Sequence, residues 1–131
     1  MVIVMSFLFK TADWKTEKHV PVIEILGEAK KGGPITVRVS VGKEIPHPNT
    51  TEHHIRWIRL IFWPGGSNFP YDIGFVEFNS HGESTQGPNT SGVYTEPTAT
   101  FTFRTEKPGR LIAFSYCNIH GLWSSEKELK L

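Results

Sequence analysis

The sequence predicts an all-β protein, an antiparallel β-sandwich of about seven strands. Residues 35–41 and 98–105 alternate apolar and polar side chains with a period of two, which is typical of a half-buried strand. Strong turn sequences separate the apolar segments, among them Lys-Gly-Gly-Pro at 31–34 and Pro-Gly-Gly-Ser at 64–67. The sequence has no heptads and no long amphipathic helix pattern. Short strands joined by turns therefore account for the chain better than helices do.

The strands can be assigned in chain order from these patterns. Residues 55–63 and 111–116 are dense in β-branched and aromatic side chains, which indicates central strands buried on both faces. Residues 79–97 are rich in Gly, Ser, Thr, Asn and Pro and are too numerous for a hairpin turn, so we predict a functional or interface loop there. The predicted strands are residues 20–25, 35–41, 55–63, 74–78, 98–105, 111–116 and, as an edge strand, 126–131.

Length and charge exclude several classes of protein. With 131 residues we expect one domain. The formal net charge of +1 provides no basic field for nucleic acid. No apolar run approaches the roughly 20 residues of a membrane helix. Residues 1–9 are apolar, but they lack the positively charged region and the cleavage site of a secretory signal, so we expect a cytoplasmic protein.

The single cysteine, Cys117, restricts the chemistry most. It can form neither an intrachain disulfide nor a four-cysteine metal site. His120 follows three residues later, directly after a predicted strand, where a tight turn could aim both side chains at one ion. A thiolate with an imidazole suits iron, copper or zinc. Taken alone, the pair is equally consistent with a buried thiol beside an unrelated surface histidine.

Three further histidines lie where a second loop meets a strand. His47 stands between two prolines on a stiff loop, and His53 begins the strand that follows. His54 is its neighbour, and because neighbouring side chains on a strand point to opposite faces, one metal should take only one of these two. The sequence leaves open which. Loop histidines are commonly solvated, so it is the combination with Cys117 and His120 that indicates a metal site.

Two other histidines carry weaker signals. Glu17 and Lys18 precede His19, and their spacing alone favours an exposed ion pair of little energetic value. The alternative is that Lys18 attracts an anion to an open metal position. His81 lies in the long loop without a partner pattern, so we interpret it as a surface or interface residue.

Together these motifs resemble the superoxide reductases, and most closely the small single-iron kind called neelaredoxin. Glu-Lys-His-x-Pro occurs at 17–21, His-Pro-Asn-Thr-x-Glu-His at 47–53 and Cys-Asn-x-His-Gly at 117–121, in that order. The resemblance covers nearly the whole chain and implies one superoxide reductase domain over residues 1–131, with residues 1–12 as an N-terminal extension. It implies an immunoglobulin-like β-sandwich that binds one mononuclear iron through four equatorial imidazoles and one axial thiolate. On the matching positions the ligands are His19, His47, His53, His120 and Cys117, which leaves His54 and His81 outside the site.

The resemblance also implies an activity, one-electron reduction of superoxide to hydrogen peroxide at the position trans to Cys117. Lys18 would attract the anion, and Glu17 would close the open position in the ferric state. Rubredoxin or a similar small redox protein would return the electron, and we expect a homotetramer. Backbone amides of Ile119 and His120 are candidates to donate hydrogen bonds to the sulfur and tune its electron donation.

Two other functions are compatible with parts of the pattern. A cupredoxin-like blue-copper electron carrier is also a β-sandwich with a C-terminal Cys and His, but no methionine follows His120, and copper would leave His47 or His53 unexplained. An immunoglobulin-like binding module with incidental histidines would normally carry a cysteine pair, whereas this sequence has one cysteine.

Overall fold

The computed structural model describes residues 10–13 and 15–131, and in this part of the chain it contains seven β-strands and no helix. The predicted all-β class and strand number are therefore confirmed. The strands are β1 (Pro21–Leu26), β2 (Ile35–Val41), β3 (Ile55–Pro64), β4 (Tyr71–Glu77), β5 (Thr98–Phe103), β6 (Gly109–Cys117) and β7 (Gly121–Leu129). The structure accordingly has no helix, within the residues it describes, that is long and apolar enough to cross a membrane.

The strands form two antiparallel sheets that pack face to face. One sheet has the order β1-β2-β5 and the other has the order β4-β3-β6-β7. A single hydrophobic cluster draws side chains from both sheets, and Val37, Val39, Ile58, Leu60 and Leu111 in it are at most 1% exposed. Fully burying each of these side chains stabilises the fold by about 1.5–3 kcal/mol. The shared core thus fixes how the ends of the strands lie relative to one another.

Two strands begin three or more residues earlier than the sequence predicts. β4 starts at Tyr71 rather than at residue 74, and β7 starts at Gly121 rather than at residue 126. Ser124 and Ser125 interrupt the apolar pattern of β7, but both pair in register with β6 residues. Backbone pairing with a central strand therefore extends β7 through residues whose side chains give no strand signal.

Several strand ends meet at one end of the sandwich. The start of β1 pairs with the end of β2, as Pro21 opposite Val41. In the other sheet Cys117, at the end of β6, pairs with Ile55 at the start of β3 and with Gly121 at the start of β7. The three sequence motifs lie in the segments that flank these ends.

Hydrogen bonds between the sheets hold this end together. The Ser115 hydroxyl of β6 donates to the carbonyl of His19 at 3.3 Å, and the Ser125 hydroxyl of β7 donates to the carbonyl of Pro21 at 2.5 Å. Before β1, Lys10 makes a parallel bridge to Trp123 of β7. Residues 1–9, the apolar part of the predicted N-terminal extension, lie outside the described residues, as does Trp14. The extension, and the single domain over 1–131, stay predictions.

Candidate metal centre

Four histidine rings form a closed circle at the end of the sandwich where the motifs meet. Ring centroids around the circle are separated by 4.7 Å for His19–His47, 4.7 Å for His47–His53, 5.0 Å for His53–His120 and 4.6 Å for His120–His19. Across the circle the centroids of His19 and His53 are 6.0 Å apart. Neighbouring rings are inclined by 61–75°. The four rings thus converge on one point from four directions.

Ring nitrogens face one another inside this circle at distances that suit a shared ion. Nδ1 of His120 is 3.1 Å from Nε2 of His19 and 3.3 Å from Nε2 of His53. Two nitrogens at right angles on one ion, each about 2.1 Å from it, would be about 3.0 Å apart. The candidate ligand atoms of His19, His53, His120 and Cys117 all lie within 4.8 Å of one another. The spacing therefore fits several donors to a single metal.

His47 completes the circle with a nitrogen that lacks a protein partner. Its Nε2 is buried and has no hydrogen bond among the described residues. Its Nδ1 donates to the carbonyl of Pro48 at 2.5 Å, which leaves Nε2 with the lone pair. A buried polar atom without a partner is costly, on the order of 1–3 kcal/mol. A cation at the centre of the circle would remove that cost.

The surroundings of His19, His47 and His53 favour the neutral imidazole, the form in which histidine binds a metal. Burial lowers the pKa of His47 to about 4, although the hydrogen bond to Pro48 opposes the shift. Burial also lowers the pKa of His19, against the opposing effect of Glu17, and burial and the nearby His120 lower the pKa of His53. At neutral pH these rings therefore present lone pairs rather than positive charges.

Cys117 belongs to the same cluster and stands at the end of β6. The residue is fully buried, and its Sγ is 3.8 Å from Nδ1 of His120. The backbone amide of His120 donates to Sγ at 3.4 Å, as predicted. The described residues show no such bond from the amide of Ile119. Gly121, with a φ of +81°, lets the chain turn directly into β7, and this turn places the thiol and the imidazole on one side.

Glu17 and Lys18 lie at the edge of the cluster. Oε1 of Glu17 accepts hydrogen bonds from Nδ1 of His19 at 2.6 Å and from the His19 amide at 3.0 Å. This contact orients the His19 ring so that Nε2 faces the centre. Burial alone would raise the pKa of Glu17, but the bonds to His19 and the charge of Lys18 outweigh it, and the pKa is lowered. The exposed Glu17–Lys18 pair that spacing alone favours is thus replaced by a Glu17–His19 pair.

The Lys18 ammonium adds positive potential over the site. Its charge contributes to lowering the pKa of His19, His47 and His53 alike. A cation that acts on three of the rings lies within electrostatic reach of their common centre.

His54 and His81 lie apart from the circle of rings, but the prediction that His81 is a surface or interface residue is wrong. His81 is only 3% exposed and stacks on His54, with ring centroids 3.5 Å apart. Its Nε2 donates to the carbonyl of Phe78 at 2.7 Å, which lets the polar ring stay inside the protein.

Asn118 is a site residue that the sequence analysis missed. Its Oδ1 accepts from the His54 amide at 2.8 Å, and its Nδ2 donates to the carbonyl of Glu52 at 2.9 Å. Its own amide donates to the carbonyl of His54 at 3.1 Å. Asn118 therefore ties the Cys117 turn to the loop that carries His53. The only sequence signal for this role is its position inside the third motif.

A β-sandwich that gathers four imidazoles and one thiol at one end has the donor set of a metal-binding protein with nitrogen and sulfur ligands. A family model, Desulfoferrodoxin, matches residues 11–126. The superoxide reductase of Pyrococcus furiosus is 60% identical over 126 residues, which cover 96% of this chain and 99% of that protein. Neelaredoxin of Megalodesulfovibrio gigas is 55% identical over 127 residues, covering 97% and 98% of the two chains. The solved structure of superoxide reductase (neelaredoxin) from Archaeoglobus fulgidus in the reduced form is 67% identical, with a TM-score of 0.90, and covers 95% of this chain and 99% of that one. The chain belongs to the desulfoferrodoxin family, and the resemblance predicted from the three motifs is confirmed.

Proposed function

We infer that this protein is a superoxide reductase, which converts superoxide to hydrogen peroxide at a non-haem iron. The observation that carries this inference is the closed circle of four imidazoles with the buried thiol of Cys117 beside it. Imidazole and thiolate together suit iron, copper or zinc. Among these metals zinc has no redox chemistry. The relatives named superoxide reductase and neelaredoxin support the choice of iron.

We propose that one iron is held by five side chains of this chain. The donors are Nε2 of His19, His47 and His53, Nδ1 of His120 and Sγ of Cys117. The hydrogen bonds of Glu17 and Pro48 to the far nitrogens of His19 and His47 support this assignment, because a metal-bound imidazole usually donates its other N–H to an oxygen. When bound, iron supplies the single electron that the reaction needs.

The substrate is an anion, and the protein attracts it locally. The chain as a whole has a formal charge of only +1, so long-range attraction is weak. Lys18, whose charge is felt by three of the rings, provides the positive potential where the substrate must arrive. His120 is exposed and His53 is half-buried, so the centre is accessible from solvent. We propose Lys18 as the residue that guides superoxide to the site.

The reaction adds one electron and two protons to superoxide to give hydrogen peroxide. The open face lets solvent supply the protons. We propose that Glu17 would be the carboxylate that closes the site in the ferric state, which would require it to give up its hydrogen bond to Nδ1 of His19. Rubredoxin or a similar small redox protein as the donor, a homotetrameric assembly and a cytoplasmic location complete the proposal.

Replacing the thiol tests this function directly. We expect Cys117→Ser to lose the thiolate-to-iron absorption and most superoxide reduction, because hydroxyl is a harder and weaker donor than thiolate. The measurements are metal content, the visible spectrum, and peroxide and dioxygen formed from superoxide with a reductant present. Wild-type protein loaded with zinc is the control, since zinc keeps the donor set but cannot change oxidation state. An iron-loaded serine variant with full activity would contradict the assignment, and evolution of dioxygen would indicate a dismutase.

The blue-copper alternative predicts a different metal. It requires two histidines, a cysteine and a weak axial ligand such as methionine, whereas the structure brings four imidazoles together. Copper rather than iron in the purified protein would favour the carrier.

A further inference from the structure

We infer that His54 and His81 form a stacked pair that positions the ligand His53, so that the long loop 79–97 supports the metal site. The inference rests on the proposed function in one respect, which is that His53 binds the metal. Neither residue of the pair is among the proposed metal ligands.

The pair is a built feature of the interior. The two rings are nearly parallel, inclined by 6°, and their centroids are 3.5 Å apart. His54 is 6% exposed and His81 is 3% exposed. Burying a polar ring is costly unless its polar atoms are hydrogen-bonded, and each ring meets a backbone carbonyl. Nδ1 of His54 donates to Thr50 at 2.9 Å, and Nε2 of His81 donates to Phe78 at 2.7 Å.

The stack fixes the turn that carries His53. The Thr50 amide donates to the carbonyl of His53 at 2.9 Å, and the His53 amide donates to Oγ1 of Thr50 at 3.2 Å. The ring of His54 binds the Thr50 carbonyl, so both ends of this turn are held. His53 and His54 are neighbours in this held turn, so packing His54 against His81 restricts the backbone that directs the His53 ring toward the centre of the site.

The other half of the pair belongs to the long loop, and that loop is fastened to the same turn. The Thr51 hydroxyl donates to the carbonyl of His81 at 2.6 Å. The Thr51 amide donates to Oδ1 of Asn89 at 3.0 Å, and the Asn89 amide donates to the Thr51 hydroxyl at 3.1 Å. Asn89 adopts a φ of +57°, a backbone conformation that asparagine tolerates better than most residues. The loop thus contacts the ligand turn through two of its residues, His81 and Asn89.

Removing the stack should loosen His53 without removing any ligand. We expect the iron-loaded variant His81→Ala to release iron to a chelator on the order of ten times faster than wild type, the lower end of the effect of losing a supporting contact around a metal. The thiolate-to-iron absorption band should also shift, because the fields of all the ligands act on the same ion. His81→Phe keeps a flat ring against His54 and should restore release close to the wild-type rate. His81→Gln keeps a polar side chain but no ring, and it should resemble His81→Ala.

A matched control separates positioning from general destabilisation. Val37→Ala removes buried volume from the core of the other sheet, at a fully buried residue that pairs with Ile25, near the end of β1 that lies away from the metal site. We expect it to lower the unfolding temperature while leaving iron release and the absorption band unchanged.

The outcomes distinguish the inference from the proposed function. Wild-type protein that takes up no iron with a thiolate absorption band overturns both. Wild-type protein that binds iron normally, together with His81 variants that release it at the wild-type rate, overturns the inference alone. Release from Val37→Ala as fast as from His81→Ala also overturns it. If His81→Ala does not fold, the other two variants decide: faster release from His81→Gln than from His81→Phe supports the inference, and equal release refutes it.

Discussion

Replacing Gly42 with alanine should displace His47, because the two residues approach more closely than any side chain allows. A Cβ atom at Gly42 would lie 2.6 Å from the backbone nitrogen of His47 and 3.2 Å from its Cβ. Real Cβ atoms essentially never lie closer than 3.0 Å, so the two atoms would have to separate by at least 0.4 Å, and by 0.8 Å to reach ordinary contact at 3.4 Å. The displaced atoms are backbone, which cannot swing aside as the end of a flexible side chain can.

Two effects of this substitution can be estimated separately. Gly42 has a φ of +87°, and a residue with a Cβ in the left-handed region loses about 1–2 kcal/mol. The displacement of His47 acts on the metal site, where a misplacement of about 1 Å can lower a rate about 100-fold. We therefore expect Gly42→Ala to fold with a lowered unfolding temperature, to release iron faster than wild type, and to reduce superoxide on the order of 10–100 times more slowly.

Gly27 provides the matched control for the backbone effect. Its φ is +74°, and a Cβ there would meet nothing within 4 Å. Gly27→Ala should therefore share the conformational cost but leave iron release and activity at wild-type values. The assays are thermal unfolding, release of iron to a chelator, and the rate of superoxide reduction. If the two alanine variants release iron equally fast, the close contact between Gly42 and His47 does not determine the position of His47, and the reasoning is refuted.

Two further variants test the other contacts of the site. Lys18→Ala should slow superoxide reduction by about tenfold at low salt and weaken its dependence on ionic strength, since Lys18 supplies the local positive potential. The control is Lys130→Ala, which removes an exposed cation near the chain end and should change neither the rate nor its dependence on ionic strength. Equal effects of the two variants would contradict the proposal that Lys18 guides superoxide to the site. Asn118→Ala should lower the free energy of unfolding by about 0.5–1.5 kcal/mol for each lost hydrogen bond, because the His54 amide and the Glu52 carbonyl lose their side-chain partner. Asn118→Asp, which keeps the acceptor for the His54 amide, should recover part of that loss in denaturant unfolding, and an alanine variant as stable as wild type would show that the contact is unimportant.

Most strand positions can be predicted from the sequence because each of these strands has a characteristic local pattern of side chains. Residues 35–41 are a strand in both the prediction and the structure, since period-two alternation matches the pleat of a sheet with one buried face. The start of β7 was missed because Ser124 and Ser125 carry no apolar signal, and their strand conformation is imposed by pairing with β6. A local sequence pattern therefore predicts a strand whose own side chains alternate between apolar and polar. It misses a strand whose conformation is imposed by backbone pairing with a neighbouring strand.

The same distinction applies to the site. Strand alternation predicts from the sequence that His53 and His54 point to opposite sides, but it does not predict which of the two faces a metal. The deciding contact for His54 is the ring of His81, which lies 27 positions further along the chain and has no periodic relation to it. Asn118 likewise acts on Glu52 and His54 across two motifs. The tertiary fold determines which residues become such partners, so no local sequence pattern can predict them.

The candidate donors come from both sheets, and this arrangement bears on how the site is formed. His19 and His47 adjoin the ends of β1 and β2, whereas His53, Cys117 and His120 adjoin the ends of β3, β6 and β7. Since the two sheets share one close-packed core, the distance between the two groups of donors is set by core packing rather than by the loops alone. The core therefore helps to gather the rings, whereas the whole fold of a zinc finger depends on its metal. A metal bound here would join the two sheets at this end, and its binding would add to the stability of a sandwich that its own core already supports.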